Sequence, residues 1–524
     1  MIRLQDSLDP THSFAALAVV LAVVGSASVP LIAAEPPNRE LVGADIRFAQ
    51  ARRDLVERVA GGELPSIAVA VAAGGRVLWE EAIGWADREA ERAATPQSLY
   101  GLGSLGKSLL ATTILVLVES GEVDLDDPVT EHLGDAELRI HPHGARPPTV
   151  RELLQMTGGI PHGHIVYFGG DHQAPGAREI VERYAAAALP PGEHYEYSNF
   201  SYGLLEQVVR GVTGKSYAEY ARSAVFDPLA MRHTSVGLPI DAAGGDPAVR
   251  YGRSGSPIDT MIAAPASSLD THSTLDDLLR YGLFHLGLRR PEQWPILGSE
   301  TLERMHSDRS GLPGALMALG WAVIELEADT VLVTNGLVSG ASATLLLFPE
   351  KQALVIALAN ISSDGVTDDV AFGLAEILIP GLLAEFQAAR AEYESGQARP
   401  WKPTADLLGS WKGEISTPDG ELSLSVRFQE DGDVHVRLGE QPRTLLDGAR
   451  WTGDRLSGAL LGALPWSETG DDYLELQLTL VPGGDRLLGW VTASVYDGER
   501  FFQLPAPLGL VRESPPNGGS ERRE

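Results

Sequence analysis

No cysteine occurs in the 524 residues. Disulfides, zinc–thiolate sites, iron–sulfur clusters and cysteine nucleophiles are therefore excluded, and because the absence suits either redox compartment it does not locate the protein. Lysine is almost as scarce, with only Lys107, Lys215, Lys351, Lys402 and Lys412 among 41 basic residues. Acidic residues number 71, which leaves a formal net charge of −30 and excludes broad binding to nucleic acid or to an anionic membrane surface. Long apolar runs are missing beyond the first 34 residues. Within them, FAALAVVLAVVGSASVPLIAA (14–34) carries no charge, and its apolar part is followed by the small-residue run GSAS. That is the pattern of a signal peptide. Because 21 uncharged residues approach the length that spans a bilayer, an uncleaved membrane anchor is the alternative. Either way export to the periplasm or the extracellular space is expected. The chain as a whole, 44% hydrophobic and 21% charged, has the composition of a globular protein with room for more than one domain, and no internal repeat is evident.

Periodicity divides the chain further. Residues 41–62 read as an amphipathic helix, and 67–87 as two strand-like runs broken at Gly74-Gly75, a hairpin signal. KSLLATTILVLVESG (107–121) is apolar nearly all round and ends at Gly121, so a buried helix is expected. Helices and loops follow to about residue 310, then strand-like runs from 317 to 360. Strands early, helices in the middle and strands late imply an α+β fold, with an antiparallel sheet built from both ends of the chain around a mostly helical insertion. The stretch 389–406 reads as a linker. Beyond it the period becomes two, as in Leu422, Leu424, Val426 and Phe428 or Leu474, Leu476, Leu478 and Leu480, with closely spaced turns; a small antiparallel barrel or sandwich is expected over 407–513. Residues 514–524 are expected to form a disordered tail.

One octapeptide, GLGSLGKS (101–108), satisfies three patterns. It spells the P-loop G-x-x-x-x-G-K-S, contains the dinucleotide fingerprint G-x-G-x-x-G, and includes S-x-x-K from Ser104 to Lys107. A P-loop needs a buried parallel strand feeding into it, whereas the residues before Gly101 are polar and interrupted by Pro96; no run ending in aspartate suggests a Walker B strand. Ser and Lys three apart on a first helical turn share one face, with the hydroxyl near free backbone N–H groups. A lysine held dry can give up its proton and serve as a base. Downstream, Tyr197-Ser198-Asn199 precede a predicted helix, where a tyrosine could relay a proton and an asparagine could contact substrate and hold the lysine.

Taken with their flanks, these motifs resemble the serine beta-lactamase-related family, which includes class C beta-lactamases, penicillin-binding-type carboxypeptidases, D-amino-acid peptidases and beta-lactamase-fold esterases. The resemblance runs from about 64 to 360, through PSIAVAVAAGGRVLWEEAIGWAD, SLYGLGSLGKSLLATTILVLVESGEVDLDDPVTEHL, TVRELLQMTGGIPH, LPPGEHYEYSNFSYGLLEQVVRGVTGKSYAEY and GLVSGASATLLLFPE. It implies a beta-lactamase/transpeptidase-like domain over 41–388 and, for the C-terminal part, a lipocalin-like fold. It further implies Ser104 as acylated nucleophile, Lys107 as its base, Tyr197 as proton relay and Asn199 as a substrate contact. An oxyanion hole would come from the N–H groups of Ser104 and of the strand edge near Leu337. No cofactor or metal is called for, and the partner is a small-molecule or peptide substrate.

Two motifs depart from the family pattern. Where Lys-Thr-Gly or His-x-Gly is usual, this chain has Thr334-Asn335-Gly336, without the cation that engages a substrate carboxylate. Met156 and Gly158 stand where histidine and serine are usual. A serine hydrolase of neutral esters or small amides is therefore expected, with a catalytically silent scaffold as the rival. In HGHIVYFGGDH, His162, His164, Asp171 and His172 could be read as metal ligands; the spacing favours polar loop residues exposed at the mouth of the site. A nucleophile elbow G-x-S-x-G around Ser104 fails because Leu102 occupies its first glycine position.

Overall fold

The computed structural model describes residues 45–141, 145–169, 172–237, 244–312, 314–327, 329–363, 365–399, 401–470 and 472–513. The apolar segment 14–34, the tail 514–524 and Asp171 lie outside them. Among the described residues no helix is long and apolar enough to cross a membrane.

The early and late strands meet in one sheet. Ser66–Ala73 pairs with Ala353–Ala359 in a register running from Ile67 opposite Ala359 to Ala73 opposite Ala353. Among the described residues the strand order is Ala322–Glu325, Thr330–Val338, Ala341–Phe348, Ala353–Ala359, Ser66–Ala73, Arg76–Asp87, Arg92–Ala93, and every pairing is antiparallel. Both faces are covered. Ile67, Val69 and Val71 pack with Leu55 and Val59 of the helix Ala49–Ala60 and with Phe372 of Val366–Leu378. Ala68, Ala70 and Ala72 face the cluster that contains Leu109, Ile114 and Leu278. A strand buried on both faces is apolar throughout, which is why SIAVAVAA shows no polar alternation. Gly74 and Gly75 turn the first hairpin with φ of +57° and +75°, the left-handed pair that two-residue hairpins require.

The helix Gly106–Glu119 has eleven of its fourteen residues buried, as its apolar circumference requires. Gly121, at φ +74°, ends it: its N–H donates to Val118 O and the Glu122 N–H to Leu117 O, a Schellman closure. The strand before the octapeptide, Ser98–Gly101, is four residues long and pairs antiparallel with Thr271–Ser273. It is not the central parallel strand a P-loop needs.

The C-terminal strands from Gly409–Thr417 to Arg500–Arg512 form a nearly closed antiparallel barrel whose interior is filled by Trp411, Leu424, Val426, Phe428 and Leu478. The helix Leu382–Gln397 runs into the stretch read as a linker, because that stretch is rich in Ala and Glu and reaches no proline until Pro400. The barrel is also joined by pairing. Arg500, Phe501, Phe502 and Gln503 of the last strand lie opposite Tyr167, Val166, Ile165 and His164 of the strand His164–Phe168, which in turn pairs with Met261–Ala264.

Candidate active site

Three glycines let the site assemble. Gly103 takes φ +52° just before Ser104 and starts the 3₁₀ turn Gly103–Leu105 that enters the buried helix. A methyl group on Gly106 would overlap Ser267 O and stand 2.7 Å from Thr271 Oγ1. Gly336 lies on the strand Thr330–Val338, where a Cβ would overlap Leu102 O and stand 2.5 Å from Ser104 N and 2.8 Å from Leu105 N. The neighbouring strand Ala322–Glu325 pairs only as far as Val333, so the edge from Thr334 onward is left to face the Gly103–Leu105 turn. This brings the backbone of Leu337 beside Gly103 and that of Gly336 beside Ser104. The two N–H groups expected to form an oxyanion hole, those of Ser104 and Leu337, thus lie on facing segments.

The side chains of Ser104, Lys107 and Tyr197 meet. Lys107 Nζ lies 2.9 Å from Ser104 Oγ and 2.7 Å from the Tyr197 hydroxyl oxygen, and the Tyr197 O–H donates to Ser104 Oγ at 2.6 Å. Ser104 is part-exposed, whereas Lys107 is buried at 3% exposure, with Nζ 4.8 Å from the Tyr197 ring and 5.8 Å from that of Tyr202. Burial drives the Lys107 amine well below its ordinary pKa. The same desolvation pushes Tyr197 up to about 12 against the smaller effect of its bond to Ser104. Both shifts favour the uncharged forms, an amine on Lys107 that can accept a proton and a phenol on Tyr197 that can give one.

Tyr197 sits in a loop pinned by its neighbour. Ser198 Oγ accepts the Ser201 N–H at 3.0 Å to cap the helix Asn199–Thr213, and donates to Pro161 O at 3.0 Å. Asn199 is buried, but its Oδ1 has no hydrogen-bond partner among the described residues, and its side chain makes no bond to Lys107. The expectation that it holds the lysine is corrected: Tyr197 is the side chain that reaches Nζ. Thr334 and Gly336 alternate with Asn335 along the strand. Asn335 turns to the opposite face, where its Nδ2 donates to both oxygens of the buried Asp368 at 3.2 Å. Thr344 Oγ1 donates to the same carboxyl at 2.7 Å, yet desolvation outweighs both bonds and raises Asp368 to about 7.

The histidine loop also differs from expectation. His162 and His164 are not exposed at a mouth but packed inward, with rings 5.9 Å apart. His162 lies 5.5 Å from the Tyr197 ring and His164 4.5 Å from Phe501 of the barrel. Burial holds both imidazoles neutral, His164 at about 3. The cause is that HIVYF, just after His162, forms the strand His164–Phe168 that pairs with the last strand of the barrel, which local spacing does not show. His172 stacks on Tyr167 at 4.7 Å, away from them, and among the described residues no three His, Asp or Glu side chains converge as metal ligands.

Sequence reasoning missed two residues at the edge of this site. Arg250 contacts His272 Nε2 at 2.6 Å and Ser339 O at 3.4 Å, beside the turn that ends the Gly336 strand. Arg455 of the barrel holds Glu196 and Tyr195. Neither lies in a motif; only the fold brings them in.

A family model described as Beta-lactamase matches residues 51–377, more than half of the chain. Protein flp of Staphylococcus aureus is 26% identical over 314 residues, which are 58% of this chain and 61% of flp. The unguisins hydrolase ungD of Aspergillus violaceofuscus is 29% identical over 203 residues, 37% of this chain and 35% of that protein. The chain thus spans less than two thirds of the curated relatives it matches. Among solved structures, the octameric penicillin-binding protein homologue from Pyrococcus abyssi superposes with a TM-score of 0.55 at 22% identity, covering 87% of this chain and 99% of that one. That likeness shows a shared fold.

Proposed function

The chain belongs to the beta-lactamase family, and from that premise we propose that it is a serine hydrolase that forms an acyl-enzyme on Ser104 and acts on uncharged esters or small amides. One observation carries the proposal: a buried Lys107 amine, which burial drives well below its ordinary pKa, 2.9 Å from a part-exposed Ser104 hydroxyl. The Ser104 O–H donates to Lys107 Nζ and passes its proton there as Oγ attacks the substrate carbonyl carbon. The carbonyl oxygen gains the negative charge beside the Ser104 and Leu337 N–H groups. Tyr197, protonated and 2.7 Å from Nζ, gives its proton to the leaving oxygen or nitrogen and is reprotonated from the Lys107 ammonium. Water then hydrolyses the acyl-enzyme by the same proton path in reverse. The preference for uncharged substrates rests on Thr334, which puts a neutral hydroxyl where the family pattern has a cation. A hydrolase among the matched relatives, the unguisins hydrolase, supports the reaction class.

Turnover of a p-nitrophenyl short-chain ester by the parent protein and by Ser104→Ala tests this reading. Loss of turnover in the variant is expected; equal rates would remove Ser104 from the reaction, and no turnover in either would favour the silent scaffold.

A further inference from the structure

The barrel lies beyond the residues the family model matches, yet it grips the segment that carries Tyr197. Arg455 opens the barrel strand Arg455–Gly462 and is buried at 8% exposure. Its Nη2 donates to Tyr195 O at 2.9 Å, its Nη1 pairs with the Glu196 carboxylate, and its Nε donates to Asp454 Oδ1 at 3.0 Å. Asp454 in turn contacts His194 Nδ1 at 2.5 Å. Two adjacent barrel residues therefore hold 194, 195 and 196, the three residues immediately before Tyr197.

Glu196 needs that grip. Its carboxylate lies under the barrel and burial raises its pKa, with Arg455 the largest opposing influence; Asp454 pushes it up further, and the backbone N–H of His162 pulls it down. Without the guanidinium the carboxylate must take up a proton or turn out to water, and either response moves the coil that leads into Tyr197. On its far side Tyr197 is held by Ser198. The contacts of its hydroxyl at 2.6 and 2.7 Å thus depend on clamps at both ends of the segment, one supplied by the helix cap and one by the barrel.

We infer that Arg455 is a positioning residue for Tyr197, and that the barrel is thereby a working part of the acyl-transfer site. This rests on the reading of Tyr197 as the proton carrier given above.

The test is a double-mutant cycle in the full-length protein, with Arg455→Gln, Tyr197→Phe and their combination assayed on a neutral ester. Arg455→Gln alone should lower kcat about 10²-fold, the cost of a misplacement near 1 Å, with KM changed less than about threefold. In the Tyr197→Phe background it should cost less than about threefold, because the hydroxyl it positions is gone. Adding Glu196→Gln to Arg455→Gln should recover about tenfold, since the pair is then uncharged. Arg455→Lys keeps the charge but not the fork of donors, and gives a milder loss of about tenfold should the glutamine variant fail to fold. A folded variant, glutamine or lysine, with kcat within twofold of the parent overturns the inference, as does an equal loss in both tyrosine backgrounds. If Tyr197→Phe itself retains full kcat, the failure belongs to the proposed mechanism instead.

Discussion

Gly336→Ala isolates the approach of the strand edge to Ser104. A Cβ there would stand 2.5 Å from Ser104 N and would overlap Leu102 O, while real Cβ atoms essentially never come within 3.0 Å of such neighbours. The strand and the Gly103–Leu105 turn must therefore part by at least half an ångström, and by more on the side of Leu102. Both obstructing atoms are backbone, so no side-chain rotation relieves them. Leu337 N–H moves away with the strand, and the pair of donors expected for the developing oxyanion no longer converges. Loss of one such donor costs about 10²–10³ in kcat, or about 2.7–4 kcal/mol. A drop of about 10²-fold in kcat/KM on a p-nitrophenyl ester is the expected result, with an overpacking cost of about 1–3 kcal/mol in stability. The assay pairs steady-state kinetics with thermal unfolding, so that only folded protein is compared. A folded Gly336→Ala with kcat/KM within threefold of the parent would refute the reasoning.

Lys107→Met should abolish turnover yet raise the melting temperature at pH 7. The folded amine is driven below its ordinary pKa, so the unfolded chain binds a proton that the fold does not, and stability falls as pH drops from about 10.5 toward the folded value; equal or lower stability in the variant would contradict this. For the same reason the rise of kcat/KM with pH should level off well below pH 10.5, whereas a log-linear rise continuing to pH 10 would mean an ordinary lysine. Asp368, held at about 7 against an ordinary 3.8, keeps its proton while the unfolded chain loses its own. Stability attached to it is therefore lost as pH rises from about 4 to 7, on the order of 4 kcal/mol for a shift of this size; denaturant titrations of Asp368→Asn at pH 4.5 and 8 should show a smaller difference than those of the parent. Thr334→Lys should raise kcat/KM for a carboxylate-bearing ester relative to a neutral one by about tenfold, the value of a charge-assisted hydrogen bond; an unchanged ratio would detach Thr334 from the substrate.

How much of this was legible depends on how local each cause is. The hairpin at Gly74-Gly75, the buried helix closed by Gly121 and the period-2 strands of the barrel follow from residues close in sequence. The meeting of Ser104, Lys107 and Tyr197 was legible for two reasons: an i,i+3 pair shares a helix face, and the tyrosine came with a family pattern. The glycine at 336 was visible as part of a motif, but the reason for it, backbone against backbone at Leu102 and Ser104, appears only when two distant segments meet. His162 and His164 looked like exposed loop residues because nothing near them reveals that the last barrel strand pairs with His164–Phe168. Asn199 was given the lysine by analogy of spacing, whereas the Tyr197 hydroxyl reaches Nζ in its place. Arg455 was silent for the plainest reason: 258 residues separate it from Tyr197, and only the docking of the barrel joins them.

The central claim, that Ser104 is the nucleophile, is tested most directly by intact-mass analysis after incubation with a fluorophosphonate probe, followed by peptide mapping. One adduct per chain is expected, located on the peptide containing Ser104, formed at neutral pH and absent from Ser104→Ala. A folded parent protein that gains no mass, or an adduct that persists in Ser104→Ala, would contradict it.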